Sequence, residues 1–185
     1  MIETAITGRE LQMLQAMANA KLGNYAGIPG LTSSLIGGST YGKVRLFECS
    51  RNHQENIVPH SHRFDVLCLV LRGSVKNHIW QCGVGDQFAA STFKYLDAPG
   101  HLMFSGQAEP ARYSPETSVY AAGELYSMRA SHVHSIEFSR DAVVLFFEGP
   151  ELTKFTTILQ PFVDGKTVPT FQVQPWMYQR EGAAV

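Results

Sequence analysis

From Lys43 to Phe147 the chain is written in short apolar or alternating runs divided by turn-forming residues. Val44-Arg45-Leu46-Phe47-Glu48 alternates, and Val66 to Leu71 is apolar throughout. Val75 to Trp80 and residues 119–128, 133–138 and 142–147 follow in the same style. Period-two alternation marks a strand with one wet face, whereas a short run apolar at every position marks a strand buried on both. Gly83-Val84-Gly85-Asp86 reads as a turn, and residues 94–118, with three prolines and two glycines, read as long hairpin connections. Many short strands with turns between them predict a mainly β fold, either a barrel or a sandwich.

The N-terminal part reads differently. Thr7-Gly8-Arg9-Glu10 is a capping-box signature, and Leu11, Leu14 and Met17 or Ala18 continue at helical spacing, which predicts a helix near 8–21. Residues 23–42 are rich in Gly, Ser and Thr and include Pro29, so an irregular arm is expected there. The organisation is then an N-terminal helix and arm over 1–40 and a barrel with a C-terminal tail over 41–185. In the tail, Thr170 to Val173 is a strand candidate, and Gln174-Pro175-Trp176-Met177-Tyr178 is an apolar cluster expected to cover a barrel face or a subunit contact, as in a homodimer.

Composition removes several function classes. At 185 residues, with 44% hydrophobic and 17% charged residues, the chain suits one compact domain with a substantial core. A net charge of −1 without a Lys/Arg-rich block argues against a nucleic-acid partner. No apolar run approaches the roughly 20 residues that cross a bilayer, and no signal-peptide stretch opens the chain, so a cytoplasmic protein is expected. Cys49, Cys68 and Cys82 are odd in number and widely spaced, which predicts free thiols rather than a disulfide framework. Cys68 lies inside the apolar run and reads as a small hydrophobe, with a metal-thiolate role as the lesser reading; Cys82, near a turn, is the more reactive candidate.

The chemistry concentrates on histidine. His60 and His62 precede the apolar run, and residues at i and i+2 of a strand face the same way, so both imidazoles project to one side. Two adjacent imidazoles are half of a transition-metal site. Without a distal partner they read equally well as a polar pair at the start of a strand. His132 and His134 share one strand parity downstream and supply that partner.

At these residues the chain resembles the cupin superfamily, whose first motif runs Gly, five residues, His-x-His, three or four residues, Glu, six residues, Gly. Its second runs Gly, five residues, Pro-x-Gly, two residues, His, three residues, Asn. With His60 and His62 on the His-x-His, Val66 falls on the Glu and Gly73 on the closing Gly; with Gly123 on the second motif's Gly, His134 falls on its His. Gln54 replaces the leading Gly, Arg129 and Ser131 replace Pro and Gly, and Phe138 replaces Asn. The resemblance covers residues 41–150. It implies a double-stranded β-barrel (jelly roll), which the short N-terminal helix read above precedes, and a divalent metal held by His60, His62 and His134. His132 stands as the alternative third ligand or as a donor behind it.

With Val66 in place of the carboxylate, three neutral imidazoles remain and the ion keeps open positions, the condition of a catalytic site. Asp65 points to the face opposite Val66 and is not expected to bind. A three-His pattern of this kind is similar to iron thiol dioxygenases and to some ring- or diketone-cleaving dioxygenases. The resemblance therefore implies Fe(II) and oxidation of a small polar molecule. Two other outcomes stay open: a non-redox isomerase or lyase using Zn, Ni or Mn, and a non-catalytic small-molecule binding module.

Arg129, on the motif's Pro position, is a candidate to hold a substrate carboxylate at the barrel mouth, against the plainer reading of a solvated arginine. Tyr120 and Tyr126 lead into the second motif. Tyr126 is the candidate donor to a bound ligand, and core packing is the competing reading for both. His53, His78 and His101 are expected on the surface or in loops.

Overall fold

The runs of the sequence become strands in the computed structural model, which describes residues 5–17, 20–22, 25, 28–39, 42–51, 58–96 and 102–168. Helix α1 (Gly8–Ala16) precedes β1 (Ala20–Leu22), β2 (Leu31–Ser39), β3 (Gly42–Cys49), β4 (Val66–Arg72) and β5 (Ser74–Tyr95). There follow β6 (Leu102–Gln107), β7 (Ala111–Ala121), β8 (Leu125–Met128), β9 (His134–Phe138), β10 (Val143–Glu148), β11 (Phe155–Val163) and β12 (Lys166–Thr167).

Two antiparallel layers face each other. The first has the order β1-β2-β3-β10-β4-β8. In the second, the early part of β5 pairs with β9 on one side and β7 on the other. The segment around His60 joins that layer through a bridge to His134, with reciprocal backbone hydrogen bonds of 2.9 Å. The facing sets β3-β10-β4-β8 and (58–62)-β9-β5-β7 make the eight strands of a jelly roll. This is the double-stranded barrel that the motif resemblance implies.

The main core fills the space between the layers, with Phe47, Val66, Cys68, Val70, Met128 and Val144 from one and Val75, Ile136 and Phe138 from the other. Burying such side chains contributes roughly 1.5–3 kcal/mol each. A second cluster, Leu11, Ile36, Leu46, Leu71 and Val143, seats α1 on the outer face of the first layer. A third lies under the distal half of β5, where Phe93 meets Val58 and Ile158. There β5 pairs with β11 and β6 and carries the sheet beyond the barrel.

Two turns depend on glycine. Gly73, between β4 and β5, has φ 70°, and Gly123, between β7 and β8, has φ 91°. These are the two glycines on which the motif match rests, and the left-handed backbone there is open to Gly at no steric cost.

Several expectations are corrected by the strands. The arm expected over 23–42 contains β2, whose Leu31, Ser33 and Ser34 are buried against the sheet despite a composition poor in strand formers. The helix stops at Ala16 rather than continuing to 21, because Ala20–Leu22 is drawn into the sheet as β1. Its capping box is present, with the Thr7 side chain accepting from Glu10 N and the Glu10 carboxylate accepting from Thr7 N. The expected turn at 83–86 is a register shift inside the continuous β5, where the pairing with β7 moves between Cys82 and Asp86. The connections expected over 94–118 hold β6 and most of β7. His78 is buried on β5 instead of exposed, its Nδ1 2.7 Å from Thr117 Oγ1 and its Nε2 3.3 Å from Glu137. The strand and apolar cluster expected over 170–178, and His53 and His101, lie outside the described residues. Among the described residues no helix is long and apolar enough to cross a membrane.

Candidate metal centre

The His-x-His segment does not begin β4, as its position in the sequence suggests. It is a separate stretch threaded between β9 and β11, with His60 bridged to His134 on one side and to Ile158 on the other. Ser61 fixes it further: its N–H donates to Thr157 O, its hydroxyl accepts from Thr157 N, and its carbonyl accepts from Thr156 Oγ1. Alternate side chains of this stretch point into the barrel, so both imidazoles enter it together. His134, the first residue of β9, is buried and meets them there.

The three rings form one cluster. Their centroids lie 4.9, 5.1 and 4.9 Å apart, and one ring nitrogen from each falls within 4.8 Å of the others. His62 Nε2 and His134 Nε2 are 2.8 Å apart. Three nitrogens about 2.1 Å from one first-row dication lie roughly 3–3.5 Å from each other, a span bracketed by the 2.8 Å pair and the 4.8 Å limit of the cluster.

Proton positions follow from the outer partners. His60 Nδ1 is 2.8 Å from the Val58 carbonyl, which only accepts, so that nitrogen carries the proton and Nε2 keeps its lone pair. His134 Nδ1 likewise donates to Asn77 Oδ1 at 2.8 Å, while the Asn77 amide nitrogen donates to Met128 Sδ. Both inward Nε2 atoms are therefore bare. Without an ion, His62 Nε2–H donates to His134; with one, both nitrogens turn to the metal.

Burial also holds the rings neutral. It lowers the His60 pKa, pushes His62 down to about 3 with help from the neighbouring His60, and holds His134 well below the ordinary histidine range, again with the nearby histidines adding to the effect. Neutral imidazole is the form that binds metal. The donor set fits a divalent first-row ion: three nitrogens, two with fixed tautomers, and no carboxylate among them.

A cavity of about 150 Å³ opens beside the cluster. Its walls are largely aromatic, with Tyr25, Phe47, Phe64, Tyr126, Phe138 and Phe146 around the three histidines. Phe64 stacks on His62 at 5.6 Å between centroids. The Tyr126 hydroxyl is buried beside the Cys68 thiol with no well-formed hydrogen bond, and burial raises its pKa, so it stays a phenol.

The other sequence candidates fall elsewhere. Arg129 is exposed and outside the cavity wall, because β8 turns Tyr126 and Met128 inward and odd positions outward. His132 is exposed, in the turn that leads to His134. Val66 faces inward with Cys68 and Val70 and packs in the core, apart from the cavity lining. The Asp65 carboxylate accepts from Ala130 N at 2.7 Å and so holds the β8–β9 turn instead of joining the cluster. Residues that the sequence reading missed are Asn77, Tyr25 and Glu148. Asn77 carried a signal, since it shares strand parity with Val75 and Ile79 and is a polar residue on an inward face. Tyr25 and Glu148 carried none, being far apart in the chain and in no motif.

No family model and no curated protein matches the sequence. Among solved structures the chain is similar to a hydroxypropylphosphonic acid epoxidase from S. wedmorenis at 9% identity and a TM-score of 0.43, covering 70% of this chain and 54% of that one. A cupin superfamily protein from Desulfitobacterium hafniense DCB-2 is similar at 12% identity and a TM-score of 0.38, over 82% of this chain and 99% of that one. A hydroquinone 1,2-dioxygenase from Sphingomonas sp. TTNP3, solved with 4-hydroxybenzoate bound, is similar at 12% identity and a TM-score of 0.33, over 65% of each chain. This chain thus spans about half the length of the epoxidase. At these scores no substrate or reaction passes from those proteins to this one.

Proposed function

We propose that the protein is a metal-dependent oxidoreductase of the dioxygenase type, in which His60, His62 and His134 hold one Fe(II) beside a cavity for a small organic ligand. The observation that carries this reading is the pair of outer hydrogen bonds, from His60 to Val58 and from His134 to Asn77, which leave two bare ring nitrogens aimed into one cluster. When bound, the ion supplies a Lewis-acidic, redox-capable centre with positions left open by only three protein ligands.

The chain's own residues do the rest. Val58 and Asn77 hold two rings in the binding tautomer, and Asp65 clamps the turn from which His134 emerges. The largely aromatic walls lower the polarity around the cavity, which strengthens polar interactions inside it. Tyr126 lines that space and stays a neutral phenol.

Elemental analysis of protein purified without added metal, followed by oxygen-electrode measurements on the iron-loaded form, tests the reading. Bound iron at about one per chain, dioxygen uptake with a small organic substrate, and loss of both in His62→Ala are expected. Purified zinc or nickel without oxygen uptake replaces the redox reading with a non-redox one. A protein that binds no metal at all overturns both.

A further inference from the structure

The cavity has a charge pattern that narrows what can occupy it. Among the described residues, neither lysine nor arginine is in its wall. The one carboxylate among the described lining residues, Glu148, is already paired with Arg45, whose Nε lies 2.5 Å from Glu148 Oε1. The remaining surface is aromatic or aliphatic, apart from the histidines and the hydroxyls of Tyr25 and Tyr126. An anionic ligand group placed there loses its water and gains no cation from the protein, a costly exchange in an apolar site. A ring stacks well on such walls, and a dry apolar cavity of about this volume takes one benzene-sized molecule. Tyr126 lines the cavity, and its buried hydroxyl, beside the weakly accepting Cys68 thiol, lacks a well-formed hydrogen bond. A buried donor left in that state calls for an acceptor on the ligand.

We propose that the cavity takes a single-ring aromatic molecule that is uncharged apart from any group meeting the histidines, and that Tyr126 donates a hydrogen bond to its hydroxyl oxygen. The inference deepens the metal-centre reading and rests on it for the reaction, though not for the binding. It disfavours ligands with an additional carboxylate, including carboxylate-bearing thiols, because no arginine is among the described lining residues and the nearby Arg45 is engaged by Glu148.

Calorimetric titration of the full chain, as purified and after dialysis against a chelator, with phenol, fluorobenzene and benzoate as probes, tests it. In the chelated protein phenol binds and benzoate binds at least about tenfold more weakly. Tyr126→Phe keeps the ring that stacks on Tyr120 at 4.4 Å, so the fold is retained. The variant weakens phenol about five- to tenfold, the worth of one net hydrogen bond, and leaves fluorobenzene unchanged. Benzoate binding as tight as phenol in the chelated protein, equal weakening of phenol and fluorobenzene in Tyr126→Phe, or no phenol binding in either form overturns the proposal. Phenol binding to a protein found to hold no metal sinks the metal-centre reading and leaves this inference standing. Metal binding without phenol binding does the reverse.

Discussion

At the scale of single residues, the histidine cluster was legible because its members are written locally, as His60-x-His62 and as one His at a fixed distance from Gly123. Their supporting groups were harder to see. Asn77 was readable only as a polar intruder on an inward strand face, and Glu148 only once β10 was placed beside β3 and β4. Asn77→Leu removes the acceptor that fixes the His134 tautomer while filling similar space. Metal affinity is expected to fall about 10–100-fold, read by competition with a chromophoric chelator, with the far-UV circular dichroism unchanged; unchanged affinity assigns Asn77 to packing alone. The thiols give a second test. Burial pushes the Cys68 pKa up to about 12, whereas Cys82 is exposed. A raised folded-state pKa means stability that is full below the unfolded value, 9.0 for a thiol, and is lost as pH rises towards 12. Over that window Cys68 contributes a fall of at most ~1.4 kcal/mol per pH unit. Urea midpoints measured from pH 8 to 11 are expected to drop less steeply in Cys68→Ala than in the parent, and iodoacetamide at pH 8 is expected to label Cys82 and spare Cys68.

At the scale of elements, apolar runs and alternation found the strands that carry the core, β3, β4, β9 and β10 among them. They missed β2 because its Ser and Gly residues carry little strand propensity, and pairing with β3 over Leu31–Ser39 overrode it. The sequence reading broke the strand at 83–86, where glycines that signal a turn in isolation serve a bulge within the continuous β5. Glycine at the β4–β5 turn lends itself to measurement. A Cβ at Gly73, with φ +70°, meets Ser139 Oγ at 2.6 Å and Ala142 Cα at 3.1 Å, whereas one at Gly165, with φ +74°, meets nothing within 4 Å. Gly165→Ala therefore carries backbone strain alone, and Gly73→Ala carries strain and a clash. Urea unfolding is expected to show a loss of about 1 kcal/mol for Gly165→Ala and a clearly larger one for Gly73→Ala; equal losses mean that Ser139 and Ala142 move aside freely.

At the scale of the whole molecule, the class of fold was legible and its wiring was not. Alternation says that a strand has an inside, but nothing local says that β10 inserts between β3 and β4, or that the His60 segment lies between β9 and β11. Those pairings join residues tens of positions apart, and they create the cavity. They also bear on how far the barrel depends on an ion. The imidazoles come from the 58–62 segment and β9, which are already joined by the His60–His134 backbone pair, by Ser61 on Thr157 and by Pro59 on Leu159. The main core of Val70, Val75, Val144 and Phe138 is assembled without them. Metal should thus stabilise the folded state by mass action, about 2.7 kcal/mol when free metal is a hundred times its Kd, without being needed to form it. Chelation is expected to lower Tm by several degrees and to leave the β-sheet circular dichroism intact, and re-addition of Fe(II) or Zn(II) should restore the Tm in the parent but not in His62→Ala. Collapse of the sheet signal on chelation would mean that the ion organises the barrel itself, and a Tm indifferent to metal would remove the ion from this fold altogether.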